Sequence, residues 1–436
     1  MHERFRFKTS DELLVKADEL GLSLPFTNDI SPLFQPLKIQ NFEIQNRLLV
    51  QPMEGYDSMP DGSPSELTKR RYLRYAAGGS GVIWYEALAV SNEGRSNPHQ
   101  LLINNKNLNF FRDLNSEVRD VAAGTGNRPL LVAQLTHSGR YSKPSSKPEP
   151  RVAAPNSILD RVEPHVLSDD ELLSIQDRYV EAAKLAASAG FDAIDLKACH
   201  GYLMIDLLSS ATRKNSIYGG PEPSHRFRFL LETCDRIKNE LPDLLITTRL
   251  NMSDAYKNGF GVDNSNNPDF SEALALTGEL KSKGISIINL SMGSPYYNPH
   301  VTRPYDTPLP GQALPQEHPL AGVVKMIEGT SLFKKTFPEI KFIGSAYSWL
   351  RQFAPNTGAA VIEKGLADLI GLGRSSFAYP DLPSDLKKYG KANPAKVCIT
   401  CSGCTRLIRN YRPGGCVIRD REIYGKELQK LIADGK

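Results

Sequence analysis

The sequence lacks the features that mark membrane, secreted and nucleic-acid-binding proteins. It contains no apolar run that approaches the roughly 18 residues of a membrane span. The N-terminus, MHERFRFKTSDELLVKADELGL, is charged and has no long apolar core, which argues against a signal peptide. The net charge of +4, with 23% charged residues, gives no electrostatic reason to expect nucleic-acid binding. We therefore expect a cytoplasmic protein that binds neither membranes nor nucleic acids.

Cysteine is also scarce, and its distribution is uneven. Only six cysteines occur in 436 residues, and Cys199 and Cys234 stand alone. A cytosolic chain of this length does not need disulfides, and closely spaced cysteines in such a chain more often bind metal. Three close cysteines and a distant fourth suit an iron–sulfur cluster, with a four-cysteine zinc site as the alternative and four free thiols as a third possibility. The segment CITCSGCTRLIRNYRPGGC contains this group: Cys398, Cys401, Cys404 and Cys416.

Apolar, β-branched runs are abundant, and they alternate with amphipathic stretches. One such stretch, residues 168–190, has apolar residues at helical spacing, Ser168 and Glu171 as a capping box, and Gly190 as its stop. Buried strands that alternate with helices predict an α/β fold, a (β/α)8 TIM barrel. A doubly wound sheet would need a glycine-rich turn after the first strand, and QPMEGYDSMPDG does not match one. The eight runs are residues 46–53, 81–90, 128–139, 191–200, 244–251, 285–293, 340–346 and 367–374.

The chain is expected to have three parts around this barrel. Within the first part, residues 32–46 are predicted to form a hairpin that closes the bottom of the barrel. Two proline-rich polar insertions, residues 141–166 and 294–319, follow the third and sixth strands, so they should lie at the active-site face. The parts are an N-terminal extension with the hairpin (1–45), the barrel (46–390) and a cysteine-rich tail (391–436).

Polar side chains follow several predicted strands, where the active sites of barrels form. The fourth strand ends in DLKACHGY, which carries Lys197, His200 and Tyr202. Each alone is explained more simply as a solvent-reaching lysine, a buried histidine or a packing tyrosine, but three after one strand favour a catalytic site. The eighth strand ends in GLGR (371–374), which suits a phosphate site, although a tight turn explains it equally well. Other strand ends carry Glu54, Gln134, His137 and Arg249.

Several of these segments together resemble the old yellow enzyme family of FMN-dependent oxidoreductases. The resemblance covers about residues 32–385 and rests on PLKIQNFEIQNRLLVQPM, RRYLRYAAGGSGVIWYEALAV, AQLTHSGR, HGYLMIDLLSSATRKNSIYGG and IGLGRSSFAYPDLP, in family order. It implies FMN reduced by NAD(P)H, with Arg249 near the N1–C2 edge, where a cation stabilises the reduced flavin. The residues implied to line the flavin ring are Pro52, Met53, Glu54, Ala87 and Gln134, and those implied to hold its phosphate are Gly344, Gly373 and Arg374.

The same resemblance implies the substrate contacts. Lys197 and His200 would hydrogen-bond a carbonyl oxygen, and Tyr202 would protonate carbon. Tyr56 would also contact the substrate. Family members usually have histidine at the position of Lys197. An ammonium is a full cation with no acceptor, so it would favour a carboxylate or an enolate-like oxygen over a simple ketone.

Glu54 is a second departure from the family, whose members commonly have threonine or cysteine at this position. A carboxylate beside the ring disfavours the anionic reduced flavin unless it is protonated or paired. We expect Glu54 either to pair across the mouth with Lys197 or another cation, or to turn away and bond the local backbone.

The cysteine segment resembles the branch that includes 2,4-dienoyl-CoA reductase and trimethylamine dehydrogenase. That branch carries a [4Fe–4S] cluster directly after the barrel, with three residues rather than two between the second and third cysteines. Only about twenty residues follow Cys416, too few for a nucleotide-binding domain. Either NAD(P)H would reduce FMN directly, or a separate electron-transfer reductase would exchange electrons through the cluster.

These features predict an FMN-dependent NAD(P)H oxidoreductase that resembles ene-reductases. Its small-molecule substrate would carry an activated C=C bond, as an enone, enoate or enoyl thioester. The alternative within the family is an amine dehydrogenase or demethylase. A different class is a Schiff-base aldolase built on Lys197, and a third is a non-catalytic electron-transfer or metal-binding subunit. The sequence leaves open whether the protein forms a homo-oligomer.

Overall fold

All eight apolar runs become strands in the structure, a computed structural model that describes residues 1–435. The strands are β1 (Leu37–Ile39), β2 (Phe42–Ile44), β3 (Leu48–Val50), β4 (Val82–Trp84), β5 (Leu88–Ala89), β6 (Leu130–Thr136), β7 (Arg151–Val152), β8 (His165–Val166), β9 (Ala193–Ala198), β10 (Leu245–Asn251), β11 (Ile287–Ser291), β12 (Lys341–Gly344) and β13 (Leu369–Leu372). The helices are α1 (Ser10–Glu19), α2 (Glu66–Ala77), α3 (Leu108–Ala123), α4 (Asp169–Ser188), α5 (Leu203–Leu208), α6 (Pro223–Glu240), α7 (Ser271–Ser282), α8 (Pro299–Thr302), α9 (Pro319–Thr336), α10 (Ala354–Glu363), α11 (Arg374–Ala378), α12 (Leu382–Tyr389), α13 (Gly403–Arg409) and α14 (Lys426–Ala433).

Eight strands form a closed parallel barrel. Their circular order is β3, β4, β6, β9, β10, β11, β12, β13 and back to β3. Leu49 of β3 pairs with Val82 of β4 on one side and with Gly371 of β13 on the other. The first barrel strand therefore pairs with the last one, which closes the barrel. Nearly every strand residue is buried, because side chains fill the inside and helices cover the outside. The predicted (β/α)8 TIM barrel is confirmed, and a doubly wound sheet, which has two edges, is excluded.

The hairpin of β1 and β2 lies against the amino-terminal ends of the barrel strands. Leu37, Ile39 and Ile44 share one apolar cluster with barrel residues that include Leu49 and Leu245. Because this cluster lies at the start of the strands, the hairpin covers the end of the barrel opposite the strand termini where active sites form.

Helix α4 shows why the predicted helices form where they do. The Ser168 hydroxyl accepts the Glu171 N–H at 3.2 Å, and the Glu171 carboxylate accepts the Ser168 N–H at 2.8 Å. This is the predicted capping box, and it satisfies two backbone donors at the helix start. Gly190 follows the helix end with φ of +84°, a conformation that glycine adopts without strain.

The cysteine-rich tail packs against the barrel mouth. The Gly414 N–H donates to the Gly55 carbonyl at 2.6 Å, just after β3. Asp420 accepts from Arg70 at 2.7 Å and from Arg74 at 2.6 Å, both on α2. These contacts bring α13 over the carboxyl ends of the strands. Within residues 1–435, no helix is long and apolar enough to cross a membrane.

Candidate active site

A cavity opens at the carboxyl ends of the barrel strands, and it collects most of the residues predicted from the sequence. Seven of the eight barrel strands, or the residues that directly follow them, contribute to its wall. The remaining barrel strand, β11, which is the sixth in the barrel, contributes through the loop after it, and the C-terminal tail closes one side of the cavity. The predicted residues in the wall are Pro52, Met53, Glu54, Ala87, Gln134, Lys197, His200, Tyr202, Arg249, Gly373 and Arg374.

Lys197 lies on β9 and is buried, with 6% of its surface exposed. The strand register places it directly beside Arg249 of β10. Its ammonium lies 3.3 Å from the centre of the Tyr202 ring, and it makes no hydrogen bond or ion pair within the described chain. Burial lowers the pKa of Lys197 to about 8, while Cys199 and Glu54 act in the opposite direction. Lys197 therefore remains mostly protonated at neutral pH, with its donors free for a ligand.

His200 adopts a left-handed backbone conformation, with φ of +65°. Its Nε2 lies 2.8 Å from the Ser291 hydroxyl at the end of β11. Desolvation, and then the charges of Arg249 and Lys197, hold its pKa well below the ordinary value. The imidazole is therefore neutral, and it offers one N–H as a hydrogen-bond donor.

Tyr202 directly precedes α5 and is 4% exposed. Its hydroxyl lies 3.1 Å from the Tyr296 hydroxyl, in the loop after β11. Burial raises its pKa well above the ordinary value, with Tyr296 and Glu54 adding to the shift. Tyr202 is therefore a neutral phenol that can donate a proton but whose phenolate is costly.

Within residues 1–435, Glu54 does not form the expected ion pair with Lys197 or with another cation. Its carboxylate accepts from the Ser96 hydroxyl at 3.1 Å and from the Asn97 side-chain amide. The local backbone is not its partner either, so both expectations for its contacts were wrong. Glu54 nonetheless lines the cavity, and its charge is held there by neutral hydrogen-bond donors.

Three arginines in the wall carry donors with no acceptor within the described residues. They are the Nε of Arg249 and the Nη1 atoms of Arg303 and Arg374. Burial, together with the neighbouring charge of Arg374, lowers the pKa of Arg303. Buried guanidinium donors without partners are costly, so the cavity is suited to an anion such as a phosphate. The backbone at Gly373 lies close to the Met53 side chain, since a β-carbon at residue 373 would lie 3.1 Å from the Met53 sulfur.

Asp195 holds two cavity residues in place, and sequence reasoning missed it. Its carboxylate accepts from the Gln134 side chain at 2.6 Å, the Trp84 indole at 3.0 Å and the Arg249 backbone N–H at 2.5 Å. Burial raises its pKa to about 6, while these hydrogen bonds oppose the shift. The sequence signal that could have identified Asp195 is its position within β9, two residues before Lys197.

Three predicted residues lie outside the cavity wall, and one of them, His137, is buried directly after β6. Tyr56, with φ of +52°, packs its ring 5.8 Å from His99 and 6.0 Å from Tyr411. Gly344 ends β12, and a β-carbon there would collide with Tyr347. The residues that follow Gly344 line the cavity in its place. Sequence reasoning also missed Tyr296, Arg303 and Arg409, which the sixth-strand insertion and the tail contribute.

The four tail cysteines lie in one corner of the fold. The Cys398 sulfur accepts the Thr400 N–H at 3.4 Å, and the Cys416 sulfur accepts the Arg419 N–H at 3.4 Å. Burial raises the pKa of Cys398 to about 12, and Cys404 and Cys416 contribute to the shift. The donor type suits iron or zinc, but within residues 1–435 no three potential ligands are close enough to hold an ion. The cluster therefore stays a prediction from spacing.

The fold and the cavity define a class of protein, a (β/α)8 barrel with an arginine-lined cavity at the carboxyl ends of its strands. Residues 32–303 match the NADH:flavin oxidoreductase / NADH oxidase family, and the chain belongs to this family. It is an FMN-dependent NAD(P)H oxidoreductase, as the resemblance predicted. An NADPH dehydrogenase of Bacillus pumilus (strain SAFR-032) is 31% identical over 268 residues, which cover 60% of this chain and 73% of that protein.

Solved structures share the fold over most of the chain. A complex of 2-naphthoyl-CoA reductase with 2-naphthoyl-CoA superimposes with a TM-score of 0.73 at 20% identity and covers 92% of this chain. Histamine dehydrogenase from Rhizobium sp. 4-9 gives a TM-score of 0.68 at 21% identity over 89% of this chain. The chain spans only 58% and 52% of these two proteins. At this identity, the likeness shows the fold alone.

Proposed function

We propose that this enzyme reduces the activated C=C bond of an enone, enoate or enoyl thioester. The observation that carries the proposal is the convergence of Lys197, His200 and Tyr202 on the cavity that also holds the unpartnered arginine donors. Bound FMN would supply the hydride chemistry. Its phosphate would be held by Arg303 and Arg374, and its ring by Arg249 and Gln134.

The chain's own residues would then activate the substrate. The Lys197 ammonium and the neutral His200 N–H would donate hydrogen bonds to the carbonyl or carboxylate oxygen, where negative charge develops. Tyr202 would give its phenolic proton to the α-carbon. An ammonium without a partner also favours an acceptor that carries a negative charge, so an enoate is the first substrate class to try.

The charge of the cavity argues against an amine substrate. The fold likeness to histamine dehydrogenase keeps amine oxidation as the second candidate. However, the described wall of the cavity contains one carboxylate, Glu54, and five lysine and arginine side chains: Lys197, Arg249, Arg303, Arg374 and Arg409. A cationic amine would be repelled by this surplus of positive charge.

The experiment is an anaerobic two-step assay. The FMN-loaded protein is reduced with NADH or NADPH and then mixed with cinnamate, 2-cyclohexenone, crotonyl-CoA or histamine. Reoxidation of the flavin by an alkene, with formation of the saturated product, supports the proposal. Reduction of the oxidised enzyme by histamine favours the amine alternative instead. Borohydride trapping of a carbonyl compound on Lys197 would favour the aldolase class.

For the tail, we propose that Cys398, Cys401, Cys404 and Cys416 bind a [4Fe–4S] cluster, with zinc as the alternative. Support comes from their spacing and from the N–H donors directed at Cys398 and Cys416. Metal analysis of anaerobically purified protein, with about four irons per chain, would support the cluster. About one zinc per chain would support the alternative, and no metal would leave four thiols.

A further inference from the structure

We propose that Tyr296 relays protons from solvent to Tyr202. The inference rests on the proposed function, which assigns the carbon proton to Tyr202. The Tyr202 hydroxyl has one hydrogen-bond partner in the described chain, the Tyr296 hydroxyl at 3.1 Å. A buried phenol that has given up its proton leaves a costly phenolate, so it needs a proton source within reach.

Tyr296 is the more exposed of the two tyrosines. Tyr296 is half-buried and lies in the loop after β11, whereas Tyr202 is 4% exposed. The Tyr141 ring stacks on Tyr296 with centroids 3.7 Å apart and planes 15° apart. This stacking holds the phenol in one orientation, so that its oxygen stays within hydrogen-bond distance of Tyr202.

Arg409 supplies the electrostatic support that a relay needs. Its guanidinium lies 3.9 Å from the centre of the Tyr296 ring, and its Nη2 donates to the Pro295 carbonyl at 3.0 Å. A cation over the ring stabilises negative charge on the phenol while its proton is in transit. The arginine belongs to α13, so the tail takes part in the proton path.

The proton transfer balances without any change in oxidation state. The Tyr202 O–H bond breaks as the new C–H bond forms on the substrate. In the same step, the Tyr296 O–H bond breaks as the Tyr202 O–H bond forms again. A solvent water then gives a proton to the Tyr296 oxygen, and the buffer neutralises the hydroxide that remains. Because Tyr202 is 4% exposed and lines the cavity, a bound substrate would block direct access of water to it, whereas Tyr296 is half-buried in the loop after β11.

The test compares Tyr296→Phe with Tyr202→Phe and with the control Tyr297→Phe. Phenylalanine at 296 keeps the ring for Tyr141 and Arg409 and removes only the hydroxyl. Tyr297 is 47% exposed and packs against Tyr256, so its hydroxyl is not in the path. Each FMN-loaded variant is assayed with the alkene substrate and with ferricyanide, which accepts electrons without carbon protonation. FMN affinity is measured by flavin fluorescence.

We expect Tyr296→Phe to slow alkene reduction about ten-fold, below the 10²–10⁴-fold range of a lost acid, because Tyr202 stays. Ferricyanide reduction and FMN affinity should not change. The proton inventory in H₂O/D₂O mixtures should be curved in the parent enzyme and linear in Tyr296→Phe, because two protons move in one step and then only one. Tyr297→Phe should match the parent enzyme.

Three outcomes would overturn the relay. If Tyr202→Phe slows alkene reduction and Tyr296→Phe does not, the relay is wrong and the proposed function stands. If Tyr296→Phe lowers FMN affinity or ferricyanide reduction as well, its role is structural. If Tyr202→Phe leaves alkene reduction unchanged, the assignment of the proton donor is wrong, and the relay falls with it.

Discussion

The desolvated ammonium of Lys197 should destabilise the folded protein, and removing it should show this. The substitution is Lys197→Met, which keeps an unbranched apolar side chain and removes the charge. We expect the variant to be more stable than the parent protein at neutral pH. A residue proposed to bind substrate would thereby cost folding stability, because its charge is buried in the cavity wall and makes no ion pair within residues 1–435.

The magnitude follows from the pKa of Lys197, which burial lowers from 10.5 to about 8. A difference of about 2.5 units at about 1.4 kcal/mol per unit gives a cost of roughly 3 kcal/mol. The contact of the ammonium with the Tyr202 ring offsets up to about 2 kcal/mol of this. The net gain of stability in Lys197→Met should therefore be about 1–3 kcal/mol at pH 7.

The pH dependence has a definite sign. Below pH 8, Lys197 is protonated in both the folded and the unfolded chain, so the full cost is present. Between pH 8 and 10.5, the unfolded chain binds a proton that the folded chain has released, and the stability of the parent protein rises relative to the variant. Above pH 10.5, this contribution to the difference should vanish.

The assay is urea unfolding of both FMN-loaded proteins from pH 6.5 to 10.5, with Lys257→Met, an exposed lysine, as the control. Equal free energies of unfolding at every pH would refute the argument, because the ammonium would then not be desolvated. In the same variant, kcat/KM for an enoate should fall roughly ten- to a hundred-fold, the value of one charge-assisted hydrogen bond. The parent's enoate activity should decline as pH rises through about 8, and this decline should disappear in the variant.

Three further substitutions test the site and its support. Arg303→Met should weaken FMN binding at least about ten-fold but leave riboflavin binding unchanged, since only FMN has the phosphate; equal losses in fluorescence titrations would contradict a phosphate contact. Arg71→Met should lower the free energy of unfolding by about 3–5 kcal/mol, because Arg71 is buried between Asp57 and Glu86. Urea unfolding measures this, with the partly exposed Arg70→Met as control, and a loss below about 1 kcal/mol would contradict it. Glu54→Gln should raise the flavin midpoint potential, since it removes a negative charge from the cavity wall; an unchanged potential in spectroelectrochemistry would exclude an electronic role.

The barrel and the fourth-strand cluster were predictable because both depend on local patterns. A parallel strand buried on both faces is an apolar run, and the residues directly after it must lie at the mouth. Lys197 and Arg249 needed no more information than this. The partners of Glu54 did not follow from pattern, because Ser96 and Asn97 belong to a distant loop. Tyr56 follows β3 as Glu54 does, but its left-handed backbone turns the side chain away.

Residues of the insertion and the tail were harder to place. Arg303 and Tyr296 lie in the proline-rich insertion after the sixth strand, whose path depends on tertiary contacts. Arg409 reaches the cavity because Gly414 and Asp420 fix the tail to the region around β3 and α2. Sequence spacing carries no record of such long-range contacts, so these residues appear only in the folded chain.

Because α13 packs over the barrel mouth, two segments of the chain, the barrel and the tail, together form the cavity wall. In the proposed function, the barrel strands carry the groups that would meet the cofactor and the reacting atoms, whereas Thr405, Ile408 and Arg409 of α13 form one side of the cavity wall. Changes at Thr405 and Ile408 could therefore alter which molecules enter, provided that Arg409, which supports the proposed proton relay, is kept. A library of tail variants on an unchanged barrel is accordingly a direct route to new substrate preferences.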